Sequence, residues 1–170
     1  FSLSNLTPVW DRNNRIRNYA FTSRKDLTAG ICNFSSDGKP EVTHSIVFES
    51  YPQNLSTADV DDDNVPEILI SGPSFEGLSL LKKAGKNLNE IKVLSKGSYS
   101  QAILVDITND KYPDIAALNI LSNSLEFLIN NGRGRFKLER TIQLGKKADD
   151  LHSFDMNLDS YQDLIFTEGN

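Results

Sequence analysis

Asp59, Asp61, Asp63 and Glu67 stand at alternate positions of one short segment, Asp59-Val-Asp-Asp-Asp-Asn-Val-Pro-Glu67. Such spacing suits a hard cation. Calcium takes about six to eight oxygen ligands at roughly 2.3–2.6 Å, and a tight loop wraps alternate side chains around it. The pattern occurs twice more, as Asp106, Thr108, Asp110 and Asp114, and as Asp155, Asn157, Asp159 and Asp163. With the first aspartate as position 1, side-chain oxygens fall at positions 1, 3, 5 and 9. The backbone carbonyls of Val65, Tyr112 and Tyr161 are the expected ligands at position 7.

These loops differ from an EF-hand. Position 12 should be a bidentate Glu but is Ile70, Ala117 and Phe166, and β-type sequence follows where a helix would be needed. Pro66 and Pro113 hold the chain extended just before the last ligand. Magnesium would use fewer carboxylates and keep more water, so calcium is the expected ion. Position 6, where the sharp turn favours Gly, is Asn64, Lys111 and Ser160. Asn tolerates left-handed backbone better than Lys or Ser, and the first loop alone has four carboxylates. It is expected to bind most tightly.

The elements that would position these loops repeat with them, at a period of about 48 residues. One period before Asp59 the same frame returns as Asp11-Arg-Asn-Asn-Arg15, with Arg15 at the central carboxylate's place and Tyr19 at the last ligand's. Either Arg15 pairs with Asp11 in place of an ion, or the loop is a decayed site. Each unit reads as short strands: an apolar stretch before the acidic loop, another after it, then a hairpin around a turn such as Asn131-Gly-Arg-Gly-Arg135. No window keeps a helical period. Four short antiparallel strands per unit predict an all-β chain, a β-propeller of four-stranded blades. Residues 1–170 form one segment of it, with blades near 1–49 (degenerate), 50–97 and 98–145, and a half blade at 146–170. About three and a half blades do not close a ring and leave open sheet edges. The remainder of a longer chain, or self-association with a second copy, is the expected completion.

The segment Asp106 to Phe136 combines a D-x-x-x-D-x-x-P-D-I core with a closing Asn130-Asn-Gly-Arg-Gly-Arg-Phe136 turn. On these residues the chain resembles the FG-GAP/VCBS-repeat family, which includes the β-propeller heads of integrin α-subunits. Asp59 to Gly72 and Asp155 to Gly169 match the core alone, and residues 1–49 match only by period. The resemblance implies that each acidic loop joins two strands of a blade and binds calcium structurally, through the positions already named. The chain departs from the family in lacking the position-6 Gly and the F-G and G-A-P pieces, of which Gly72-Pro73 is the one echo.

A net charge of −5 disfavours nucleic acid as a partner, and no apolar run is long enough for direct membrane insertion. The single cysteine, Cys32, excludes an internal disulfide and reads as a small buried hydrophobe. No nucleophile elbow, P-loop, dinucleotide fingerprint or zinc motif is present. His44 and His152 sit at unrelated positions of different units. The expected function is therefore non-catalytic: a calcium-stabilised module that recognises a protein or glycan, secreted or at the cell surface, where calcium is abundant. The alternative is a propeller-based hydrolase or lyase, or a non-catalytic part of one. Its central pocket would gather His152, Tyr99 or an Asp outside the loops.

Overall fold

The structure is a computed structural model that describes residues 2–10, 13 and 15–168. Asp11 lies outside the described residues, and so does the pairing expected between it and Arg15.

No helix forms among the described residues; thirteen strands do. The first sheet is a meander of β1 (Asn5–Trp10), β2 (Ile16–Ser23), β3 (Thr28–Phe34) and β4 (Pro40–Val47). A seven-stranded sheet follows. It holds β5 (Asn54–Ala58), β6 (Glu67–Ser71), β7 (Glu76–Ala84), β8 (Asn87–Val105), β9 (Asp114–Asn119), β10 (Ser124–Asn130) and β11 (Phe136–Gln143), paired in chain order. β12 (Ala148–Phe154) and β13 (Asp163–Glu168) form a last antiparallel pair. Every pairing is antiparallel.

The sequence suggests separate strands at Ile91–Leu94 and Gln101–Val105, but both belong to β8, which is 19 residues long. β8 changes partner midway: Ser98 faces Glu76 of β7, and Tyr99 faces Asn119 of β9. The expected unit boundary at 97/98 therefore falls inside a strand. Gly97 sits at the change with φ +110°, and a Cβ there would lie 2.7 Å from the Tyr99 ring. Glycine meets both demands.

Burial explains why the middle strands read as unbroken apolar runs rather than alternating ones. β6 is buried throughout, because its two faces serve different cores. Ile68 and Ile70 pack with Val9, Ala20 and Ile31 of the first sheet. Leu69, between them, packs with Tyr99, Ala102, Ile115 and Leu128. β9 repeats the device: Ile115 and Ala117 face back to Leu69, while Ala116 and Leu118 face forward to Ala148 and Leu151. The alternation of period two thus stacks each four-strand unit on the next. β4 and β11, the last strands of their units, are largely exposed.

Hydrogen bonds between the first strands of successive units carry the period into space. Asn5 Nδ2 donates to Gln53 O at 2.6 Å, and Asn54 Nδ2 to Ser100 O. Leu104 N donates to Ser56 Oγ at 2.9 Å, and the Gln101 amide bonds both the N–H and the C=O of Leu151. The partners are 46 to 50 residues apart in sequence, one period.

At the edge away from the acidic loops, buried Tyr99 donates its hydroxyl to Glu126 Oε2 at 3.0 Å, and Asn119 Nδ2 donates to Glu126 Oε1 at 2.8 Å. Burial and the Glu126 charge push the Tyr99 phenol well above its ordinary pKa. Tyr99→Phe removes one donor from a buried carboxylate, so it should cost about 1–2 kcal/mol in urea unfolding. Its response to calcium should be unchanged.

Candidate metal centre

The three acidic segments join β5 to β6, β8 to β9, and β12 to β13. Each folds by the same set of backbone-to-carboxylate hydrogen bonds. The position-1 aspartate accepts the amides of positions 5 and 6: Asp63 and Asn64 onto Asp59, Asp110 and Lys111 onto Asp106, Asp159 and Ser160 onto Asp155, at 2.8 to 3.2 Å. The position-5 aspartate accepts the amide of position 7, so that Val65, Tyr112 and Tyr161 donate to Asp63, Asp110 and Asp159 at 2.8 to 2.9 Å. The position-9 carboxylate reaches back to the amide of position 2: Val60 onto Glu67, Ile107 onto Asp114, Met156 onto Asp163. Alternate residues at the turn of each loop are left-handed. Position 6 has positive φ in all three loops, at Asn64, Lys111 and Ser160. Position 4 does too, at Asp62, Asn109 and Leu158, where spacing alone marks nothing.

The interiors differ. In the first loop, one oxygen each from Asp59, Asp61 and Glu67 lies within 4.8 Å of the others. Among the described residues this is the one acidic, His or Cys trio brought so close. Position 3 decides it, being Thr108 and Asn157 in the other loops. Thr108 Oγ1 donates to Asp114 Oδ2 at 3.4 Å, and Asn157 Nδ2 to Asp159 Oδ2 at 2.9 Å.

The first loop also holds a cation from the chain itself. Lys82 Nζ, from β7, lies 2.5 Å from Asp61 Oδ2, 2.9 Å from Asp63 Oδ2 and 2.9 Å from Glu67 Oε1. Glu67 is only 1% exposed and Lys82 25%. Burial pushes the Glu67 carboxyl above its ordinary pKa, against the pull of Lys82 and the Val60 amide. Burial alone would lower the Lys82 ammonium, but Asp61, Glu67 and Asp63 together outweigh it and hold the proton on more tightly. Asp61 Oδ1 and Glu67 Oε1 are buried and accept no aligned hydrogen bond. An all-oxygen set with Asp61 Oδ1 buried and without a hydrogen-bond donor matches the ligand chemistry of a hard divalent cation.

In the second loop Asp114 is fully buried. Its Oδ2 accepts the amides of Ile107 and Thr108, and its Oδ1 accepts Asn130 N at 2.8 Å. Burial raises its pKa, and those hydrogen bonds oppose the rise. Asn130 ties this loop to the first. Its Nδ2 donates to Val60 O at 2.7 Å and Pro113 O at 3.0 Å, and its Oδ1 accepts Gly132 and Gly134 N, both at 3.1 Å. The Asn130-Asn-Gly-Arg-Gly-Arg-Phe136 turn is therefore a clasp between neighbouring loops, not only a hairpin end. Gly134 lies against the first loop, where an added Cβ would meet Val60 Cγ2 at 3.2 Å.

The residues of the alternative reading are turned to different partners. Tyr99 is bonded to Glu126, whereas His152 is exposed on β12. A cavity of about 540 Å³ is lined by Val9, Trp10, Asn18, Val65 and Lys83, but by neither Tyr99 nor His152. Cys32 is free and buried, and burial raises its thiol pKa. No known family model matches the chain, and no curated protein matches it.

Proposed function

We propose that the chain is a calcium-stabilised β-propeller segment of the FG-GAP/VCBS type, serving recognition of a protein or glycan outside the cell or at its surface. One observation carries the reading: three acidic loops, one period apart, share one hydrogen-bonded conformation. Calcium would neutralise the carboxylates that each loop carries. Its candidate ligands are Asp59, Asp61, Asp63 and Glu67, then Asp106, Thr108, Asp110 and Asp114, and then Asp155, Asn157, Asp159 and Asp163. The carbonyls of Val65, Tyr112 and Tyr161 would complete the sets. Loops of this kind bind at roughly 10⁻⁴–10⁻³ M, which extracellular calcium saturates. Face-to-face stacking of four-strand units, joined by bonds one period apart, supports the propeller over a single open sheet.

Ion binding to the folded state alone stabilises it by mass action, about 1.4 kcal/mol per site at tenfold excess over Kd. Melting in that calcium excess and in excess EDTA should therefore differ by about 3–6 °C for each loaded site. Coincident melts, with no calcium bound at equilibrium dialysis, would overturn the calcium reading. A glycan array probed in calcium and in EDTA tests the recognition reading separately.

A further inference from the structure

From the geometry of the first loop we infer that Lys82 is its resident cation, closing that loop to calcium. This rests on the calcium reading above and narrows it. The ammonium touches Asp61, Asp63 and Glu67 at once, as a bound ion would, at 2.5 to 2.9 Å. A calcium ion placed among the same oxygens would stand where Nζ stands, so binding requires the lysine to leave. Leaving is opposed in two ways. The tether gives Lys82 a high effective concentration at the loop. Withdrawal would also strip the buried Glu67 carboxylate of the ammonium beside it.

The second loop has no such occupant. Ile68 pairs with Leu81 and Ile115 with Leu128, so the residue equivalent to Lys82 is Ile129, which carries no charge. Among the described residues no ion pair places a lysine or arginine on Asp106, Asp110, Asp114, Asp155, Asp159 or Asp163. The first loop thus keeps its order at any calcium concentration.

Lys82→Met tests this with calcium stoichiometry by titration calorimetry and melting in EDTA and calcium. The variant should bind one more calcium than the wild type. In EDTA it should melt about 6 °C lower, and calcium should restore more of that loss than the wild type gains. Asp61→Asn, made in the wild type, does not depend on the first variant folding, and it should leave the calcium stoichiometry unchanged. Equal stoichiometry for Lys82→Met and wild type would overturn the inference, as would loss of one ion in Asp61→Asn. A wild type that binds none while Lys82→Met binds one would uphold the role of Lys82 and sink the calcium reading instead.

Discussion

Asp114→Ala should lower the unfolding free energy by about 4 kcal/mol in EDTA, before any bound ion contributes. The cost comes from the donors left behind. The amides of Ile107, Thr108 and Asn130 all end on this one fully buried carboxylate. Each buried donor left unsatisfied costs about 1–3 kcal/mol, and water entering the cavity recovers part of the sum. Asp114→Asn should cost roughly half as much, because one amide oxygen still accepts while the NH₂ faces donors. Chemical denaturation in EDTA measures both. An alanine variant within about 1 kcal/mol of wild type would show that the carboxylate does not organise the second loop.

Asn130→Ala should cost about 3 kcal/mol, with damage in two loops rather than one. Its side chain is the link from β10 to the first loop, through Val60 O, and also caps its own turn through Gly132 and Gly134. Four hydrogen bonds end on this buried amide, two donated and two accepted. Net values near 1 kcal/mol each, less what water replaces, give the estimate. Asn130→Asp should be at least as harmful. It keeps the acceptor for the two glycine amides but sets a carboxylate against the Val60 and Pro113 carbonyls. Hydrogen exchange should show faster amides at 60–65 as well as 130–136. Acceleration confined to 130–136 would refute the coupling.

The loops are legible in the sequence because their bonds are local. Asp59, Asp106 and Asp155 each close a ring onto amides four and five residues on, so composition and spacing in nine positions encode them. The strands after them are legible for the same reason, as apolar runs set between turns. Lys82 is not legible. It reaches the loop from the hairpin beyond β6, and on its own strand it reads as one of two exposed-type lysines, beside Lys83. Asn130 presents half its role: the turn is visible, whereas its bond to Val60 spans 70 residues. β8 misleads for a different reason. Ser95-Lys-Gly-Ser98 is a turn by composition, yet the strand runs on through a bulge there, pairing with β7 at Leu94 and again at Ser98.

That unbroken strand has a mechanical meaning. Repeat units elsewhere in the chain are joined by connections that can hinge or stretch before a sheet is disturbed. Between β7 and β9 there is no slack: one backbone is hydrogen-bonded to a sheet on each side of Gly97. Tension entering one unit passes to the next through strands in shear, with no compliant linker to isolate them. The two units share load and fail as a pair.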